Sequence, residues 1–438
     1  MRSLVDHLLP FQRTAVTTGG LVTATAVTSA TGFAFWWIAA HQFSIEAVGI
    51  AGAAISAMII LSQLAELGLG TKIVGILHLD DDPLSLAVTA LVAASLTGVV
   101  LGIGFVVIAP IFFREFDPLR SGVVPIVAFA GGVGLSAGAS VLDQHLVALA
   151  RNGIRLLRNI VFGLSRLAVL PLVALAYPNG GAAIYGAWVV GIALSFAVFG
   201  LDLRAASWSK ATSFAWSRLG RMAGDSLSHH VVNLSRSWGT WILPLVVTVT
   251  VSERANGSFY IALLIANFVA LLISSSTFTL YVVGAQQPDA LGHQMKFTLT
   301  VSLLASLLSV ITLAIAGRLI LSSFGDPYTD DAYPAAVVLA ASTLPMAVRD
   351  HWITIQRIRG KVRAAATVGV LTFTAELAVA AVGAVVAGVI GLAIGRFIVL
   401  LLEAGAMLPV VINAARGHSG AGQPVPSGMA FSDDAEHS

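Results

Sequence analysis

Apolar runs about as long as a bilayer is thick recur along the whole chain and set its expected architecture. They fall at residues 15–38, 47–69, 85–110, 121–145, 160–177 and 182–203. A polar stretch, Arg204–Asp225, interrupts them, and six more follow at 227–250, 256–284, 297–322, 333–356, 364–386 and 388–413. Each is close to the roughly 20 residues a helix needs to cross a hydrocarbon core. The pattern predicts an all-α integral membrane protein of about twelve transmembrane helices. The expected organisation is an N-terminal six-helix lobe at 1–203, a cytoplasmic linker at 204–226 and a C-terminal six-helix lobe at 227–413. A polar, disordered cytoplasmic tail is expected at 414–438. The run at 15–38 follows Arg2 and Arg13 but is longer than the 7–15-residue core of a secretory signal, so it reads as a retained helix.

The two halves repeat. Glu46-Ala47-Val48-Gly49 corresponds to Arg254-Ala255-Asn256-Gly257, and Phe116-Asp117-Pro118 with Pro125 to Gly325-Asp326-Pro327 with Pro334. Asp143 with Gly153 corresponds to Asp350 with Gly360, and Gly180 to Gly388. The offsets agree within two residues of 208, and the order is kept. An even number of spans per unit gives both halves the same orientation, so the lobes are expected to be related by a parallel pseudo-twofold axis.

Composition agrees: 57% of residues are hydrophobic and only 11% are charged, against roughly 25% charged in soluble chains. Mean hydropathy is +0.89. With the N-terminus placed in the cytoplasm, 16 of the 24 Lys and Arg fall on cytoplasmic segments, four outside and four within spans. That bias predicts both termini in the cytoplasm. The chain has no Cys, which removes disulfides and thiolate chemistry. No basic patch with interleaved aromatics points to nucleic acid, and no metal or cofactor motif is present. HExxH, GxSxG and GxxxxGK[ST] are absent, so neither a hydrolase nor an ATPase is supported. Transport would run on an ion gradient such as H+ or Na+, on the membrane potential, or on the substrate's own gradient.

Ionisable residues inside spans are costly, so each is a functional candidate. Asp225, His229, Val232, Arg236 and Gly239 are spaced 4, 3, 4 and 3 and share one helical face. This polar stripe makes Arg236 the leading candidate to grip a phosphate through its planar donors, with His229 and His230 beside it. The competing reading ties Arg236 to a carboxylate. Arg396 is a further substrate-binding candidate, as is Arg166, although its depth also suits snorkelling to the surface. Glu376 and Arg396 are expected to form a buried ion pair, with Glu403 seven residues beyond Arg396. Asp143 and Asp350 are expected to pin the neighbouring loops Arg151–Arg158 and Arg357–Arg363; these four acids are the ion-coupling or structural candidates. Glu66, at the end of the second span, reads either way. Trp36 and Trp37 read as an interfacial belt.

Three runs carry a family resemblance: Gly32-Phe33-Ala34-Phe35-Trp36-Trp37, Phe43-Ser44-Ile45-Glu46-Ala47-Val48-Gly49, and Leu64-Ala65-Glu66-Leu67-Gly68-Leu69-Gly70. They resemble the first two helices of polysaccharide flippases in the multidrug/oligosaccharidyl-lipid/polysaccharide (MOP) exporter superfamily, which has a MATE-like fold. Gly257-Ser258-Phe259-Tyr260 and Phe324-Gly325-Asp326-Pro327-Tyr328 are similar to that family's turns before helices eight and ten. The resemblance implies a carrier that moves polyprenyl-diphosphate-linked oligosaccharide to the outer leaflet by alternating access. Its implied partners are membrane lipid and a polysaccharide polymerase or glycosyltransferases. Two alternatives stand: a cation-coupled multidrug exporter of the same superfamily, and a non-transporting scaffold of a glycan-assembly complex. The first usually places a carboxylate in helix one, where this chain has none between Ala15 and Ile38.

Overall fold

The computed structural model describes residues 28–69, 83–149, 151–176, 180–205, 214–223, 227–286, 290–330 and 332–417. Among the described residues all regular structure is helical. The N-terminal half holds α1 (28–42), α2 (Ile45–Ala65), α3 (Pro83–Phe112), α4 (Val123–Ala148), α5 (Asn152–Ala176) and α6 (Gly181–Ala205). A short helix, α7 (Trp216–Ala223), lies in the polar linker. The C-terminal half holds α8 (Leu227–Trp241), α9 (Leu243–Thr250), α10 (Glu253–Gln286), α11 (Leu291–Ser322) and α12 (Tyr333–Ile358). It ends on the run Val362–Ala415.

That run is two helices. Ala387 (φ −139°, ψ 25°) and Gly388 (φ +60°) leave helical geometry, and only glycine adopts the second value without strain. Gly383 then packs on Gly391, and Gly395 on the Val379 carbonyl, so the chain doubles back on itself. We call the arms α13 (362–386) and α14 (389–415). Among the described residues eight helices are long and apolar enough to cross a membrane, with this run taken as one. The remaining passes are α1, the α8–α9 pair broken before Pro244, and α12, whose middle carries charge. All twelve expected passes are therefore represented, although residues 15–27 of the first and the tail beyond Gly417 lie outside the described residues.

Local signals match the repeat. Ser44 caps α2 by accepting the Ala47 N–H at 3.2 Å. The matched segments around Asp117-Pro118 and Asp326-Pro327 both form 3-10 turns. Gly180 and Gly388 each stand just before the last helix of their half.

Helices α2–α6 pack among themselves, as do α8–α14, and the halves meet chiefly where α2 lies against α10, α9 and α8. At the ends of α2 and α10 away from the Arg151 and Arg359 loops, repeat-related residues face each other. Arg254 Nη1 donates to Glu46 Oε1 at 2.9 Å, two residues 208 apart. Asn256 Nδ2 donates to the Gly49 carbonyl at 2.7 Å. A Cβ on Gly49 would strike the Glu253 carbonyl, and one on Gly257 would strike that of Ile45. Tyr260 lies over Gly52, at the same spacing, where a Cβ would come within 2.6 Å of its ring. A patch that meets its own repeat equivalent is what a twofold axis through the contact produces.

Two expectations are corrected. Trp36 is not in an interfacial belt: it is 2% exposed and packs 4.4 Å from the Tyr260 ring, because the cross-lobe contact covers it. Trp37, next to it, is exposed. Arg155 and Arg158 belong to helix α5 rather than a loop, since α4 ends only four residues before α5 begins.

Candidate functional site

Charge concentrates inside the C-terminal lobe, where α8, α12, α13 and α14 converge. Arg396 Nε of α14 donates to Glu376 Oε1 of α13 at 2.8 Å, and its Nη2 reaches Thr240 Oγ1 of α8 at 3.2 Å. Glu376 Oε2 lies 3.6 Å from Arg349 Nη1 of α12. Arg349 Nε in turn donates to Asp350 Oδ1 at 3.3 Å. Asp350 Oδ2 is 3.8 Å from Arg236 Nη1 of α8. The result is a chain of alternating charges, Arg396–Glu376–Arg349–Asp350–Arg236, crossing four helices. Glu403 lies beside it, close enough to feel Arg349, Glu376 and Arg396, with the Thr372 hydroxyl near its carboxylate.

The position of Gly239 on α8 explains how Glu376 fits. A Cβ there would come within 2.8 Å of Glu376 Oε2, so glycine makes the room the carboxylate occupies. Four of the five groups in the chain are almost fully buried; Arg236 is 36% exposed. Its guanidinium makes no hydrogen bond among the described residues, and 3.8 Å to Asp350 is beyond hydrogen-bond range. Arg357, further along α12, donates to Asn233 Oδ1 of α8 at 2.6 Å and feels the Arg236 charge. Counting it, four arginines face three acids: Arg236, Arg349, Arg357 and Arg396 against Asp350, Glu376 and Glu403. A cavity of about 10 Å³, bordered by Ser235, Arg236, Arg349, Trp352, Thr372 and Glu376, adjoins the chain. It has room for about one water, so a larger ligand would reach Arg236 from its partly exposed side.

The expected Glu376–Arg396 pair is present and buried. The polar stripe of the seventh span is turned into the C-terminal lobe: Val232 is fully buried, Gly239 meets Glu376, and Arg236 leans on Asp350. The residue after Arg236 faces the other lobe instead, with Ser237 Oγ accepting from Gln63 Nε2 of α2 at 2.8 Å. His230 is 7% exposed with Nε2 unpartnered and joins none of these contacts. His229 lies on α8, but its side chain, like Asp225, falls outside the described residues.

Arg166 does not snorkel. It is 1% exposed in the N-terminal lobe, with its guanidinium 4.4 Å from the Phe162 and Trp188 ring centres and 5.3 Å from that of Phe35. Among the described residues its one hydrogen bond goes to Thr31 Oγ1 at 3.4 Å. Three ring faces offset part of the burial cost, each contributing about 2 kcal/mol when desolvated. Asp143 does hold its neighbour, accepting from Arg158 Nε at 2.9 Å. Its repeat partner Asp350 does not: it faces Arg349 and Arg236 rather than the 357–363 loop, because Arg349 has no counterpart beside Asp143. Arg349 was assigned no role from the sequence, and Arg357 only a place in the loop that Asp350 was expected to pin. The adjacent opposite charges of Arg349-Asp350, deep in an apolar run, are the signal that could have marked them.

No protein-family model and no curated protein sequence matches the chain. Solved structures do. An inward-facing multidrug resistance MATE family transporter of the MOP superfamily superposes with a TM-score of 0.68 at 12% identity, covering 90% of this chain and 96% of that one. The outward-facing form of a multidrug resistance MATE family transporter gives 0.65 at 13%, covering 94% and 97%. A MOP superfamily transporter from Pyrococcus furiosus, described as having a binding pocket of reverse polarity that suggests a different function, gives 0.59 at 12%, covering 93% and 95%. The fold is therefore that of MATE transporters of the MOP superfamily: all-α, membrane-embedded and built from two repeated six-helix lobes.

Proposed function

We propose that this protein is a carrier that moves a lipid-linked oligosaccharide, held by its diphosphate, from the cytoplasmic to the outer leaflet by alternating access. The observation that carries the reading is the local excess of arginine in the C-terminal lobe, with Arg236 exposed and its donors unspent. A diphosphate entering a low-dielectric cleft needs compensating charge, and the guanidinium fork supplies both charge and paired donors. A polyprenyl tail would remain in the bilayer beside the lobes. In this reading the basic loops face the cytoplasm, residues 204–226 link the lobes on that side, and the sealed ends of α2 and α10 face outward. The conformation is then open to the cytoplasm. Glu376 and Glu403 are the acids through which H+ or Na+ coupling would act.

The second reading, a cation-coupled multidrug exporter, is favoured by the names of the structural neighbours. The two readings separate in proteoliposomes. Flipping of a fluorescent polyprenyl-diphosphate oligosaccharide is expected to fall more than about tenfold in Arg236→Ala and only partly in Arg236→Lys, which keeps the charge but loses the fork. Ethidium should not be carried. Normal flipping by a well-expressed Arg236→Ala protein, or pH-driven ethidium export, would overturn the first reading.

A further inference from the structure

We propose that Asp350 is an internal competitor for Arg236: it takes the place of the substrate's anionic group when the site is empty and ejects that group at the end of the transport step. The inference rests on Arg236 being the diphosphate contact. Its basis is the geometry of one shared carboxylate. Asp350 Oδ1 accepts from Arg349 Nε at 3.3 Å, while Oδ2 points at Arg236 from 3.8 Å, close enough for strong attraction and too far for a hydrogen bond. Arg236 is thus drawn towards the lobe but not consumed by it.

The groups around Asp350 support this role. Arg236 faces it from α8; Arg349, His351 and Arg357 share its own helix α12 and lie within range of its charge. Asp350 is 4% exposed and Arg349 6%, so this pair is fixed inside the lobe, whereas Arg236 at 36% sits at the edge of the cavity and can turn outward. When a phosphate binds Arg236, Asp350 keeps Arg349 as a partner and nothing is left unpaired. When the lobes change their arrangement and Arg236 moves even slightly towards Asp350, the internal pair strengthens at the expense of the phosphate. A carrier needs such a device, because a site that binds an anion only tightly would not release it.

The test uses purified full-length protein, farnesyl diphosphate as the binding probe and the flipping assay above. Asp350→Asn keeps the shape and removes the competing charge. It should bind the probe roughly tenfold more tightly, a change of about 1.4 kcal/mol, and flip substrate several-fold more slowly because release is delayed. Asp350→Glu brings the carboxylate one methylene closer to Arg236 and should shift affinity the other way; it also serves if the Asn variant does not fold. Unchanged or weaker binding in Asp350→Asn, with Arg236→Ala still abolishing binding, would overturn the competitor role and leave the diphosphate reading standing. Unaltered probe binding in Arg236→Ala would remove the reading itself, and the competitor with it.

Discussion

Arg396→Met roughly keeps the reach of the side chain but removes the charge that holds Glu376. In the native lobe the two are joined at 2.8 Å, with side chains only 3% and 2% exposed. After the change Glu376 keeps only Arg349, at 3.6 Å, and Thr240 loses the donor that reached it at 3.2 Å. Removing one member of a buried ion pair costs about 3–5 kcal/mol, because the other is stranded in a medium that does not solvate it. Replacing both with apolar groups of similar volume is near neutral by the same reasoning. Arg396→Met alone is therefore expected to lower the melting temperature in detergent sharply. Adding Glu376→Leu should recover most of the loss, since Arg349 still has Asp350 at 3.3 Å. Thiol-reactive dyes cannot follow the melt, because the chain has no Cys, but its eight tryptophans can. One of them, Trp238, lies 6.0 Å from Phe373, close to the pair. A single variant that melts with the wild type, or a double variant no better than the single, would refute the structural role assigned to this pair.

Gly257→Val places a side chain against the Ile45 backbone and should pry apart the ends of α2 and α10; a single Cys introduced at Ser258, 1% exposed here, should then react with an impermeant maleimide much faster than in the Gly257 background. Glu66, just beyond α2, has its carboxyl pushed up from 4.5 to about 7 by burial, with Gln144 Nε2 donating to it at 3.1 Å. Its contribution to stability is present below the unfolded value near 4.5 and is lost as pH rises through 7. Glu66→Gln should accordingly raise the melting temperature at pH 8 and change it little at pH 4, and equal effects at both pH values would contradict the cause.

The sequence alone determined the span count, the doubled architecture and even the repeat register, because lipid admits only helices that satisfy their own backbone and a fixed thickness fixes their length. Gly388 was legible as a break, and Glu376 and Arg396 as partners, since two opposite charges in adjacent spans have few other places to go. Direction within a lobe was not legible. The face of α8 that holds Arg236 and Gly239 could have lined the cleft along its whole length, but Gly239 turns into the lobe against Glu376, on a helix more than 100 residues further on, and leaves Arg236 at the lobe's edge, 36% exposed. The same holds for Arg166: depth along a helix suggested an escape to the surface, and only packing against α1 and α6 added Phe35 and Trp188 to Phe162 of its own helix, the three rings that let it stay. Helical periodicity tells which residues share a face. Which neighbour that face meets depends on the whole bundle, and in a membrane, where every outward face is equally apolar, only tertiary structure decides it.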